Sequence, residues 1–185
     1  MKGKNIRSPL FTILLAFLCC FFPATVALAA TFTVNTTTDS VDANPGDGLC
    51  ADASGLCSLR AAVMEANALS GADNIVVPAG VYRLTLSGVA SEATGDLNLT
   101  SSITISGASA ATTIIDGDNT FRVLDISGSA SVVLRDLTIA NGYVLDEAGA
   151  GIRITNATLS TQRVIVSGCT ASTTSGPTMM FACTV

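Results

Sequence analysis

Asp116 and Asp118, in the run "IIDGDN", are the residues best placed by type and spacing to do chemistry, with Arg122 just beyond them. Glycoside hydrolysis takes two carboxylates about 5–10 Å apart across the scissile bond. Asp125 and Asp136 follow as further acids. The competing reading of Asp-Gly-Asp-Asn is an ordinary turn, because each of these residues tolerates the backbone of a tight corner. That structural reading is the preferred one. A second acidic group, Asp42, Asp47 and Asp52, lies in the loop "DSVDANPGDGLCADASGLC". Oxygen ligands of this kind suit calcium. The spacing is not that of an EF-hand, and no glutamate closes the loop, so a solvated acidic loop is the expectation and calcium the alternative.

Histidine is absent, as is tryptophan. Every Ser-His, Cys-His or His-metal arrangement is thereby excluded. The chemistry left to the chain rests on carboxylates, arginines and cysteines.

The first 29 residues bear on where these groups work. Lys2, Lys4 and Arg7 precede an apolar run from Leu10 to Phe22, which Pro23 breaks before the small-residue exit Ala27-Leu28-Ala29. These are the parts of a secretory signal. A membrane span needs roughly 20 apolar residues, more than this run supplies. Cleavage is expected after Ala29, giving a secreted or cell-surface protein with no membrane span in the mature chain. Residues 30–185 then carry six arginines against fourteen acids, a net charge of −8. With no basic block to neutralise phosphates, nucleic acid is not an expected partner. Outside the cytoplasm Cys50 and Cys57 are expected to pair, closing a short loop worth about 2–3 kcal/mol. Whether Cys169 and Cys183 pair stays open.

The elements that position these groups are read from periodicity. "ATFTVNTTT" alternates and predicts a strand. Ser58 is the expected N-cap of one helix, about Leu59 to Leu69, because its hydroxyl can accept from a free amide of the first turn. Leu59, Val63, Ala66 and Leu69 share a face, with Arg60 and Asn67 directed elsewhere. After Ser70-Gly71 the period changes to strand: "NIVVP", "VYRLTL", "SSITISG", "TTIIDG", "RVLDISG", "SVVLRDLTIANG", "GIRITN" and "TLSTQRVIVSG". The last segments form two copies of one unit, in which Ile126 matches Ile154 and Leu137 matches Val164. A period of 20–30 residues made of short strands and turns is that of a solenoid. The fold class is therefore mainly β, a parallel β-helix, with a sandwich or Greek-key barrel as the competitor.

The segment from Thr31 to about Leu86 closely resembles the CSLREA domain, an N-terminal module of bacterial secreted β-helix proteins. The resemblance is carried in order by the opening strand, the acidic loop with paired cysteines, "CSLR" entering a helix, "EAN" and "IVVPAGVYRL". The chain departs from the family at Ala61, where a glutamate would complete a capping box with Ser58. The resemblance implies a strand-loop-helix cap followed by a right-handed β-helix like that of pectate lyases and polymorphic outer-membrane proteins. It also implies that a lyase of this fold would use calcium-binding acids and an arginine base, for which Arg122 or Arg135 would be nominated.

Residues 30–88 are accordingly assigned to the cap and first strands, 89–168 to β-helix rungs, and 169–185 to an irregular tail. Met179, Met180, Phe181 and Cys183 fit no rung on this reading, as in a truncated or frame-shifted product. The expected role is non-catalytic: adhesion, surface binding or structure, with extracellular polysaccharide or surface proteins as partners. A polysaccharide lyase or glycosidase and a calcium-binding module are the alternatives.

Overall fold

The computed structural model describes residues 28–88 and 91–174. The expected signal peptide, apart from Leu28 and Ala29, lies outside the described residues, as does Cys183.

Thr31–Thr33 forms β1, and Leu59–Ala68 forms α1. The remaining elements are β2 (Ala72–Val77), β3 (Gly80–Arg83), β4 (Leu97–Leu99), β5 (Ser102–Gly107) and β6 (Thr113–Asp116). They continue with β7 (Leu124–Ile126), β8 (Ser131–Ala140), β9 (Tyr143–Leu145), β10 (Ile152–Ile154), β11 (Thr158–Ser167) and β12 (Thr170–Ser172). Every pairing between these strands is parallel, and they stack as a β-solenoid of about four turns. Neither a sandwich nor a Greek-key barrel is built this way. One wall runs β1-β2-β5-β8-β11 and is continued along the second half of β8 by β6 and β3; a second runs β4-β7-β10, and a third β9-β12.

The repeats read from the sequence are register partners. Ile126 stacks on Ile154 and Leu137 on Val164. Inward residues form columns such as Phe32–Ile75–Ile105–Leu134 and Tyr82–Ile115–Ile139–Val166. On the second wall the columns are Leu97–Leu124–Ile152 and Leu99–Ile126–Ile154. Each added turn buries its aliphatic side chains on the turn below, at roughly 1.5–3 kcal/mol per fully buried side chain.

The helix covers the first turn. Leu59, Val63 and Ala66 are buried in the core, and α1 packs against β2 and β4. Ser58 is its N-cap, its Oγ accepting from the Ala61 amide at 3.0 Å. Two expectations change. Arg60 is not directed away from the core but is 1% exposed. Residues 170–174 are also not an irregular tail, because β12 pairs with β9 in register and Thr174 bonds back to Asp146, whereas Met179, Met180 and Phe181 lie outside the described residues. The strands β4, β9 and β12, each three residues long, carry too little alternation to have been read.

The corners are set by backbone sterics. Gly142 has no room for a side chain: a Cβ would lie 2.1 Å from the Ala150 carbonyl oxygen of the same turn. Long strands β8 and β11 bend at Asp136 and Arg163, both in the left-handed region at φ 55° and 53°. The bend lets β8 pair with β5 along its first half and with β6 along its second. For a residue with a Cβ this conformation costs roughly 1–2 kcal/mol, and the Arg163–Asp136 ion pair across the stacked corner offsets part of it.

Candidate functional site

The N-terminal loop is built from its own acids. Cys50 and Cys57 form the expected disulfide, with Cα atoms 5.0 Å apart. Asn35, just past β1, accepts from the Cys57 amide through its side chain and donates its own amide to the Cys57 carbonyl. Asp42 accepts from the Asn44 and Ala51 amides. Asp47 accepts from the Leu49 amide and the Asn44 side chain. Asp52 accepts from the Leu56 and Ser54 amides and the Ser40 hydroxyl. The bond from Leu56, then those from Ser40 and Ser54, hold the Asp52 carboxyl below the usual carboxylate range. The three calcium candidates thus each close a local turn. Among the described residues no group of three His, Cys, Asp or Glu side chains is gathered as a metal site.

The same loop is anchored by two residues of α1. Arg60 grips Asp39 with two nitrogens, at 2.7 and 3.2 Å, and donates to the Gly95 carbonyl at 2.7 Å. Asp39 in turn accepts from the Thr85 and Leu86 amides. Glu65, fully buried, accepts from the amides of Gly46 and Gly48. Asn67 donates to the Asn98 carbonyl and accepts from the Thr100 amide, tying α1 to the corner after β4. The distinctive residues of "CSLR" and "EAN" are therefore load paths between the loop, the helix and the first turn.

The catalytic candidates are divided by the structure. Asp116 ends β6, is buried, and accepts from the Asp118 amide at 2.9 Å and the Asn141 side chain at 3.0 Å. Asp118 sits at φ 53° and pairs with Arg83 at 3.3 Å. The two acids share a corner, as the turn reading expects. Arg122 does not join them. It turns to Asp96 at 3.0 Å, to Glu147, and to the Gly149 carbonyl at 3.1 Å.

Arg122 is the centre of the densest charged cluster among the described residues. Arg153 extends it, bonding Glu147 at 2.9 Å and gripping Asp125 at 3.0 and 2.6 Å. A shallow cleft of about 170 Å³ opens beside it, lined by Asp96, Phe121, Arg122, Tyr143 and Glu147. The Arg122 hydrogen bond holds the Glu147 carboxyl below its ordinary range, and the Arg153 hydrogen bond does the same for Asp125. A general acid for glycoside cleavage needs the opposite shift, upward. The cluster is fitted to hold charge in place. Sequence reasoning passed over Asp96, Glu147 and Arg153. One signal was available: Asp125 and Arg153 are 28 residues apart, and Asp136 and Arg163 are 27, so opposite charges recur at the repeat itself.

No helix among the described residues is long and apolar enough to cross a membrane. Comparison with profiles of known protein families, with characterised proteins and with solved structures finds no match to this chain.

Proposed function

We propose that this chain is a secreted or cell-surface β-solenoid that binds extracellular polysaccharide or surface material without transforming it. The observation that carries the reading is the outward face of the β1-β2-β5-β8-β11 wall. Two ladders of side chains run across it in register, Thr31–Asn74–Thr104–Val133–Ser160 and Thr33–Val76–Ser106–Arg135–Gln162. Neighbouring strands are about 4.8 Å apart, so each ladder repeats short, mostly hydroxyl and amide groups at that spacing over a flat surface. Rigid, regularly spaced donors and acceptors suit a repetitive polymer, because little side-chain entropy is lost on contact.

Three further features support the reading. The signal-like first 29 residues and the disulfide fit export. The likeness of residues 31–86 to the CSLREA module supports reading the helix as a cap at the start of such a wall. The acids nominated for catalysis or calcium are occupied by turns and ion pairs of the scaffold.

The test is sedimentation of residues 30–185 with insoluble polysaccharides and cell-envelope fractions. Thr104→Lys with Ser106→Lys places two long charged chains on the face while leaving the core columns intact. Retention of the parent protein and at least a tenfold loss in the double variant, with an unchanged melting temperature, is the expected result. Equal retention of both proteins would move the binding surface elsewhere, and retention of neither would remove the proposal.

A further inference from the structure

The inward side of β2 carries one charged residue, Asp73, beside Ile75 and Val77. It stacks in register on Ile103 of β5 and is 1% exposed. Its Oδ1 accepts one hydrogen bond, from the Ala30 amide at 2.7 Å, while Oδ2 has no hydrogen-bond partner. Among the described residues no arginine pairs with it. Asp39, whose side chain is 2% exposed, is by contrast met by Arg60 and two backbone amides. A buried carboxylate left with one neutral donor is costly.

The identity of that donor is informative. Ala30 directly precedes β1 and packs against the core, and its carbonyl accepts from the Asn74 amide at 2.8 Å, so the parallel ladder begins here. Leu28, two residues earlier, is 83% exposed. The nitrogen facing Asp73 belongs to the Ala29–Ala30 peptide, the bond that follows the small-residue exit Ala27-Leu28-Ala29. Hydrolysis there by a signal peptidase adds water across the peptide. The C–N bond breaks, a C–O bond forms, Ala29 leaves as a carboxylate, and the Ala30 nitrogen becomes an ammonium. One donor hydrogen becomes three, with a positive charge, beside a buried carboxylate that has an unpartnered oxygen. Charge-assisted bonds of this kind are roughly twice as strong as neutral ones.

We infer that Asp73 is the receptor for the new N-terminus: the Ala30 α-ammonium pairs with it and fastens β1 to β2 once the leader is removed. The inference rests on the export reading above and adds a consequence for folding. Before cleavage the first turn holds a buried charge met by one amide; afterwards that charge is neutralised, so the fold tightens only after export.

The lysines of the chain are Lys2 and Lys4, so a chain beginning at Ala30 has a single amine. An ammonium held by a carboxylate keeps its proton and reacts slowly. The test expresses the full chain for export, fixes the N-terminus of the product by mass spectrometry, and labels its amine with a succinimidyl ester at neutral pH, folded and in urea. The expected product begins at Ala30 and labels at least tenfold more slowly folded than in urea, and Asp73→Asn should remove that protection. A glycine inserted between Ala29 and Ala30 gives a second reading that does not disturb Asp73. It keeps the Ala30 amide bond to Asp73 but moves the charge one residue outward, so its amine should label at the urea rate and its melting temperature should fall by roughly 2–8 °C. An Ala30 amine that labels as fast folded as in urea, or a glycine variant with the labelling rate and melting temperature of the parent, would overturn the pairing and leave export standing. A product that begins anywhere else would overturn both.

Discussion

Arg60 shows how far a single side chain reaches in this molecule. Its own side chain is fully buried and that of Asp39 is 2% exposed, so removing either partner strands a charge in the interior, at a cost of about 3–5 kcal/mol. Arg60→Leu is expected to lower the urea unfolding free energy by that amount, and Arg60→Leu with Asp39→Asn by clearly less than the two single changes together. A strictly additive double variant would mean the pair is not coupled. The sequence did not reveal this role, because helical spacing puts Arg60 beside the apolar stripe but cannot show that a loop of some twenty residues returns Asp39 to it. Ser58 was legible for the opposite reason: its partner, the Ala61 amide, is three residues away.

The carboxylates also give the protein a direction of pH response. Asp125, Asp136, Glu147 and Asp52 are all held below their ordinary range, the first three chiefly by arginine hydrogen bonds and Asp52 by backbone and hydroxyl donors. A group whose folded value is depressed contributes stability that is fully present above its unfolded value and is lost as pH falls through the folded one. The melting temperature is therefore expected to be flat from about pH 5 to 8 and to fall below about pH 4. Melting curves recorded across that range check it, and a fall on the alkaline side of pH 5 would contradict it. Asp136, Asp52 and Glu147 are open to solvent and contribute weakly at moderate salt, so Asp125, partly buried beneath Arg153, is expected to dominate: Asp125→Asn should flatten the acid limb more than Asp136→Asn.

At the scale of elements, the wall strands were legible and the corners only partly so. Alternation in "SSITISG" or "SVVLRDLTIANG" specifies which side faces the core, because a one-residue slip would turn every aliphatic side chain outward. Ile126 with Ile154 and Leu137 with Val164 then set the period. Corners are harder. Gly128 and Asn141 adopt positive φ at corners, where such residues are tolerated. Asp136 and Arg163 adopt it as well, in the middle of what reads as continuous strand, and only the stacking of one on the other explains Arg163. Gly142 is a position where no other residue fits. Gly142→Ala should lose about 1–3 kcal/mol or more, measured by chemical denaturation, since the new methyl would overlap the Ala150 carbonyl. Stability equal to the parent would show that this corner is looser than the packing indicates.

The whole molecule is a stack whose two ends receive different treatment. α1 and the disulfide-closed loop cover the first turn, where an open edge would otherwise expose a row of unpaired backbone groups and core side chains. At the far end of the described residues β10 pairs with β7 alone, and an apolar mouth of about 440 Å³ opens beside it. The fold class, the disulfide and the helix cap were thus open to inspection in the sequence alone. The Arg122 cluster was not, because Asp96 and Glu147 lie in connections that follow no repeat. The division between the acids of "IIDGDN" and Arg122 has the same origin: only three residues separate Arg122 from Asp118, yet a corner of the solenoid sends them to different neighbours.

Binding of extracellular material without its transformation is tested by incubating residues 30–185 with a polysaccharide panel, with and without calcium, and analysing bound protein and soluble sugar from the same tubes. Protein retained on the polymer, no oligosaccharide released above the protein-free control, and no dependence on calcium is the result expected. Release of unsaturated or reducing oligosaccharide that disappears in Asp116→Asn with Asp118→Asn would contradict it and restore the corner acids to a catalytic role.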